Sequence, residues 1–188
     1  MGQICCFTGW RPHRFSFSPD GLRPQQVQDA LGEQIRRLYD EGVRIFISGM
    51  STGVDLWAAA AVVDLCAEYP DMQLIAAVPF AGQESHWPMA DRKEYHRILM
   101  ACHRTEVLYD RPATQEQASA CYRNRNRWMV DRADTVLAVC PLDVADSRTG
   151  TAATVRYARQ KQRRILYIHP QTLAVTEETV QQIQFPME

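Results

Sequence analysis

Short apolar runs alternate with longer helical patterns along almost the whole chain. The runs at residues 3–7, 43–47, 73–78, 104–109, 135–140 and 164–169 are rich in β-branched, aromatic and Cys side chains and are bounded by Gly, Pro or polar clusters, so they read as strands. Between them, helical patterns cover residues 24–41, 56–68, 91–101, 114–133 and 149–162. In the first, Pro24 suits an opening position, Val27, Leu31, Ile35 and Leu38 recur at helical spacing, and Gly42 ends the run. Thr114 and Gln117 form a capping-box pair ahead of the fourth. Strands that are apolar throughout and joined by helices belong in a parallel sheet covered on both faces. The expected fold is α/β: a single Rossmann-like three-layer α/β/α sandwich with a mostly parallel sheet over residues 1–170. Residues 171–188 are expected as a C-terminal extension, packed on this domain or trailing from it.

Such sheets take ligands beyond the C-terminal ends of their strands. Four loops fall on that edge: 8–14, 48–55, 79–87 and 141–151. The second holds Ser48-Gly49-Met50-Ser51-Thr52-Gly53-Val54-Asp55 between an apolar strand and an Ala-rich helix. Strand, glycine-containing turn and helix together let backbone N–H groups and a helix N-terminus face an anion. Gly49 and Gly53 suit close approach or positive φ, and Ser48, Ser51 and Thr52 add hydroxyls. A phosphate or nucleotide cradle is one reading, and an ordinary capped strand-to-helix turn is the other.

The rest of the composition narrows the function classes. A chain of 188 residues suits one domain with a proper core. Its net charge of −1 leaves no sequence-wide footprint for nucleic acid or an anionic membrane. The densest basic cluster, Arg156, Arg159, Lys161, Arg163 and Arg164, reads as a solvated helix face and its exit. Six cysteines without a CxxC pair, most within apolar runs, suit buried reduced thiols and a cytoplasmic setting. No apolar run reaches membrane-spanning length. Met1-Gly2-Gln3-Ile4-Cys5-Cys6 imitates a lipidation start, but Cys6 stands where Ser or Thr is needed, and a buried strand is the expected reading. His86, His96 and His103 lack metal-ligand spacing, so no metal is expected. Cys140 ends a strand near the proposed edge but has no His in a matching pattern.

Taken in order, Cys6-Phe7-Thr8-Gly9-Trp10-Arg11-Pro12, Ser48 to Ala58, Pro79-Phe80-Ala81-Gly82-Gln83 with Trp87, Arg125 to Asp134, and Thr149-Gly150-Thr151 with Tyr157-Ala158 resemble the YpsA-like branch of the SLOG superfamily. The resemblance covers about residues 4–170. It implies a Rossmann-like fold and a nucleotide or nucleotide-derived ligand, and it relates the chain to the LOG phosphoribohydrolases and the DNA-processing protein DprA. Superfamily members often assemble as dimers or larger, which leaves a homo-oligomer open. Trp10 replaces the usual His of the family, and Thr149 replaces the first glycine of its final Gly-Gly-Thr.

On that resemblance the ligand-binding residues are Thr8, Gly9, Arg11, Ser48, Gly49, Met50, Thr52, Gly53, Asp55, Pro79, Phe80, Gln83, Trp87, Arg125, Asn126, Thr149, Gly150 and Thr151. The two glycine-bearing turns would hold phosphate, and Arg11 and Arg125 would neutralise it. Asp55 would take a ribose hydroxyl, while Phe80, Trp87 or Trp10 would stack on a base. Each has a structural alternative: Arg125 pairing with Asp131 or capping a loop, Trp57 and Trp87 as core aromatics, Gln83 and Glu84 as helix caps. LOG enzymes cleave an N-glycosidic bond with the Arg that aligns with Arg125 and a Glu three residues after the loop Thr. Here that position is Thr154, so the same chemistry would need Asp55, Glu84 or Asp131. No cofactor is implied beyond a nucleotide-like ligand, and no catalytic residue is assigned. A DprA-like role lacks a basic stripe and an aromatic platform, and a scaffold without ligand is the third class.

Overall fold

The computed structural model describes residues 3–179, apart from the side chains of residues 145 and 146; Met1, Gly2 and residues 180–188 of the expected extension lie outside it. Twelve elements follow in order: β1 Gln3–Gly9, α1 Pro24–Asp40, β2 Val43–Ser48, α2 Val54–Leu65, β3 Gln73–Phe80, α3 Met89–Ala101, β4 Arg104–Tyr109, α4 Gln115–Arg132, β5 Thr135–Val139, α5 Gly150–Gln160, β6 Arg164–Ile168 and β7 Val175–Glu178. Single 3-10 turns occupy Pro12–Arg14 and Leu142–Asp146. The strands form one sheet in the order β4-β3-β2-β1-β5-β6-β7, parallel except where β7 runs against β6.

Alternation within the strands builds two cores. Cys5, Phe7, Phe46, Leu74, Leu137 and Leu166 face α1, α2 and α3, packing on Val27, Leu31, Ile35, Val62 and Ile98. Cys6, Ile47, Ala77, Val136, Ala138 and Ile165 face α4 and α5 through Met129, Val130, Val155 and Ala158. Each fully buried Leu, Ile or Phe contributes about 1.5–3 kcal/mol of transfer free energy. The first three crossovers therefore cover one face while the chain steps outward from β1 to β4. The next carries β5 back to the other side of β1. Crossovers leaving β1 and β5 diverge to opposite faces, which opens a crevice at that point of the sheet.

Several boundaries differ from the sequence reading. Thr8 and Gly9 remain in β1, held by register with Ala138 and Val139 of β5. Pro79 and Phe80 belong to β3, with Phe80 in register with Tyr109, rather than to the loop that follows. The capping box holds: the Gln117 N–H donates to Thr114 Oγ1 at 3.2 Å, and the Thr114 N–H to Gln117 Oε1 at 3.3 Å.

The polar segment after Pro170 contributes a seventh strand, Val-Thr-Glu-Glu, with no apolar signal of its own. Arginines of the basic cluster hold it: Arg164 Nε pairs with Glu177 at 2.8 Å and Arg159 Nε with Glu178 at 2.9 Å. Lys161 pairs with Asp131 at 3.1 Å. The cluster is thus partly a strap for an edge strand, not simply a solvated face. Among the described residues no helix is long and apolar enough to cross a membrane.

Candidate functional site

A cleft of about 770 Å³ opens above the β1/β5 crevice. Its floor is Thr8 and Gly9 at the end of β1, one wall is Ser51, Thr52 and Asp55, and the other is the inner side of α4 with the head of α5. Ten of the residues singled out from sequence line it: Thr8, Gly9, Arg11, Thr52, Asp55, Arg125, Asn126, Thr149, Gly150 and Thr151.

The other eight stand outside that lining, each for a packing reason. Ser48 is fully buried; its hydroxyl donates to the Asp55 carbonyl at 2.7 Å and accepts from the Met50 N–H at 3.0 Å. Met50, also fully buried, takes a positive φ of 54°; of the two glycines suited to that conformation or to close approach, Gly53 has it and Gly49 does not. Gln83 donates its amide to the Met50 carbonyl at 3.1 Å, which makes it a brace for the turn rather than a helix cap. Phe80 packs edge-on to Tyr122, and Trp87 edge-on to Tyr95, so neither ring is set to stack on a base in the cleft. Trp10 lies against Phe15, and Trp57 against Phe15 and Phe17. Pro79 is held within β3.

Both cradle glycines serve the protein's own packing. Gly53 has φ of 85°, and a Cβ there would sit 2.7 Å from the Trp10 carbonyl oxygen. A Cβ at Gly49 would run into the guanidinium of Arg125. That guanidinium is 3% exposed and reaches across from α4 to grip the turn. Its Nη1 donates to the Gly49 carbonyl, its Nη2 donates to Ser51 Oγ at 3.1 Å, and Nη1 lies 3.7 Å from Asp55 Oδ2. Its Nε is buried without a hydrogen-bond partner among the described residues. The partner is therefore Asp55 and not Asp131, which is held by Lys161 and the Tyr157 hydroxyl. Burial raises the Asp55 carboxyl above its ordinary range, opposed by Arg125 and Arg11. Burial lowers Arg125, with Asp55 opposing.

At the far wall Thr149 caps α5, accepting from the Ala152 N–H at 3.1 Å, so this Thr still makes a helix head where a glycine was expected. The Thr151 hydroxyl donates to the Gly9 carbonyl at 2.8 Å and seats that head against β1. Gly150 faces open space. Asn126 donates to Thr154 Oγ1 at 2.9 Å, and Thr154 donates to the Gly150 carbonyl at 2.9 Å. The position where a LOG enzyme carries its Glu is therefore a buried hydroxyl committed to the helix. Arg11 Nη1 donates to Thr52 Oγ1 at 3.1 Å.

The ligand set read from sequence omitted the cleft's outer residues His13, Arg14, Ser119, Tyr122, Arg123, Arg127, Arg148 and Arg156, although loops 8–14 and 141–151 had been placed on this edge. Among the described residues seven arginines line the cleft against one carboxylate, Asp55, on a chain whose net charge is −1. The i, i+4 spacing of Arg123 and Arg127 was the available signal. Arg148 was marked only by its loop and Arg156 only by a basic cluster read as a solvated face, because only the fold brings them opposite α4. The other proposed acids lie outside the cleft lining: Glu84 is 3.8 Å from His96, and Asp131, near the end of α4, is held by Lys161 and the Tyr157 hydroxyl. Cys140 is fully buried, outside the cleft lining, and burial pushes its thiol up to about 12, where it stays protonated. Among the described residues no group of three His, Cys, Asp or Glu side chains is placed to hold a metal ion.

A family model described as the YspA SLOG family (YpsA) matches residues 5–173. UPF0398 protein BH1768 of Halalkalibacterium halodurans is 34% identical over 72% of this chain and 70% of its own length. UPF0398 protein YpsA of Bacillus subtilis is 29% identical over 72% of this chain and 74% of its own. Among solved structures, the X-ray structure of TM1055, a structural-genomics target, superimposes with a TM-score of 0.50 at 14% identity, covering 86% of this chain and 71% of that one; it bears on fold alone. With nearly the whole described domain inside the match, the chain belongs to the YpsA family of SLOG proteins.

Proposed function

We propose that the cleft binds a nucleotide or nucleotide-derived ligand through its phosphate. The carrying observation is the convergence of seven arginines and the head of α5 on one cleft at the β1/β5 crevice. A helix N-terminus of this kind favours an anion through its leading N–H groups and its dipole. The volume lies within the range of small-molecule sites, about 300–1,000 Å³. In this reading phosphate lies against Gly150 and Thr151, and Asp55, beside Arg125, accepts from a ribose hydroxyl. A small ligand is favoured over single-stranded nucleic acid because the cleft-side aromatic faces are already occupied by cations. Arg127 and Lys161 lie over Tyr157, at 5.4 and 5.3 Å from its centroid, and Arg125 lies 5.9 Å from the centroid of Tyr122.

Thermal shift against nucleoside monophosphates, nucleoside diphosphates, ADP-ribose and nicotinamide cofactors tests this, with Gly150→Asp as control. A ligand at about 100 times its Kd stabilises by about 2.7 kcal/mol. A side chain at Gly150 meets open space, so the variant should fold while its carboxylate repels phosphate. A shift in the wild type that Gly150→Asp lacks supports the reading; no shift with any compound refutes it.

A hydrolytic reading rests on a separate observation: among the described residues Asp55 is the one carboxylate lining the cleft, and burial biases it toward the protonated form. A LOG-like release of base would then depend on Asp55 as acid. Its test is base release from a nucleoside monophosphate by the wild type and none by Asp55→Asn.

A further inference from the structure

The cleft's positive charge is in two parts with different commitments. The inner arginines are engaged with protein: Arg125 with Gly49, Ser51 and Asp55, and Arg11 with Thr52. The outer group differs. Among the described residues Arg14, Arg123, Arg127 and Arg148 have no carboxylate partner, although all four line the same cleft. Outside the cleft, Arg37, Arg44, Arg97, Arg104, Arg159 and Arg164 are each held by an Asp or Glu, and arginines without such a partner among the described residues, such as Arg36, Arg92 and Arg111, do not line it; what sets the outer group apart is the gathering of four on one concavity. Arg123 and Arg127 stand one helical turn apart on α4, on the side that faces α5. Four guanidinia without counter-ions around one concavity repel one another, and this costs stability unless an anion fills the space.

A single phosphate on the head of α5 carries at most two negative charges and leaves this outer group unanswered. We infer that the cleft has a second anion subsite, formed by Arg123 and Arg127 of α4 with Arg148 opposite, and that its ligand carries a diphosphate. The inference rests on the phosphate-binding reading above and narrows its ligand class. One phosphoryl group lies at Gly150 and Thr151, and the next lies on the outer arginines, whose planar forks suit bidentate contact with phosphate oxygens. A terminal diphosphate, as in a nucleoside diphosphate, and a bridging one, as in a nucleotide sugar, present the same chemistry here.

The experiment compares AMP, ADP and ADP-ribose by isothermal titration at fixed ionic strength, on the wild type and on Arg123→Gln/Arg127→Gln. Both positions are exposed on α4, so the variant should keep its fold, which its melting curve verifies. The wild type is expected to bind ADP or ADP-ribose at least about tenfold more tightly than AMP, a difference of about 1.4 kcal/mol. Preference for ADP assigns the terminal form, and preference for ADP-ribose the bridging form. The double variant is expected to lose that preference, weakening ADP or ADP-ribose by at least about tenfold more than it weakens AMP, about 1.4 kcal/mol. Equal wild-type affinity for all three overturns the second subsite alone, as does a variant that weakens AMP as much as the others. Failure of every compound to bind overturns the phosphate-cleft reading beneath it.

Discussion

Replacing Arg125 with Met tests whether this side chain locks the cradle. Met retains the apolar stem and removes every polar contact of the guanidinium: the donations to the Gly49 carbonyl and to Ser51 Oγ, and the pair with Asp55 at 3.7 Å. Asp55 is then left beside a buried turn without its nearest cation. Breaking a buried pair from one side costs about 3–5 kcal/mol. The Asp55 side chain keeps 14% of its exposure and borders the cleft, so water relieves part of the loss, and about 3 kcal/mol is expected. For a chain of this size that lowers Tm by about 6–12 °C. The variant should also regain stability on acidification. A carboxyl raised in the folded state protonates there first, so its penalty stands at pH above the folded pKa and is relieved as pH falls through it. Urea denaturation at several pH values reads both effects. Adding Asp55→Asn should recover at least about 1 kcal/mol, since neighbours in one network couple by about 0.5–3 kcal/mol. A single-variant loss below about 1 kcal/mol, where exposed pairs lie, or a double variant that loses the sum of the two, refutes the lock.

Gly49→Ala should destabilise by about 1–3 kcal/mol, because its Cβ meets the Arg125 guanidinium; the Gly49→Ala/Arg125→Met pair should cost less than the sum, and additive losses in urea melts would contradict the collision. Gly150→Asp should leave Tm unchanged or raise it by a degree or two, since a carboxylate in the first turn of α5 favours the helix by about 0.3–1 kcal/mol. A fall of more than about 4 °C in its melting curve, roughly 1 kcal/mol or more, would show that the open space at Gly150 is needed for folding. Glu41, Glu177 and Glu178 are held below the usual carboxylate range, first by hydrogen bonds from Arg164 and Arg159. Their contribution is present above the unfolded value of about 4.3 and is lost as pH falls through the lower folded values. Glu177→Gln/Glu178→Gln should therefore flatten the acid limb of stability against pH, and an unchanged limb would place acid sensitivity elsewhere.

The sandwich was legible because burial on both sheet faces leaves a strong mark in sequence. Phe46, Leu74, Val136 and Ile165 sit in apolar runs that only a covered sheet accommodates. β7 left no such mark: its four residues are Val, Thr, Glu and Glu, and partners as distant as Arg37 and Arg159 hold it. The inner half of the site was legible for a related reason, since Thr8, Asp55 and Thr151 lie at strand ends and helix starts, where punctuation residues show. Ser48, Gly49 and Gln83 have the residue types of a ligand cradle but serve the turn itself, because a buried turn needs the same donors and the same small side chains. Gly53 shows the consequence for experiment: a bulky residue there would strike the Trp10 carbonyl and disturb β1 before it blocked any ligand. The outer arginines were hidden because neighbours in space such as Arg127 and Arg156 come from different helices and average out in a chain of net charge −1.

The central claim is that phosphate lies at the head of α5, across the β1/β5 crevice from the Arg125–Asp55 pair. A crystal structure of the protein with the nucleotide that gives the largest thermal shift tests it most directly. The account predicts phosphate oxygens within hydrogen-bond distance of the Gly150 and Thr151 N–H groups, with Arg125 still gripping the Gly49 turn. A nucleotide seated elsewhere, for example in the groove between α1 and α2 beside Trp57 and Asp64, would contradict it.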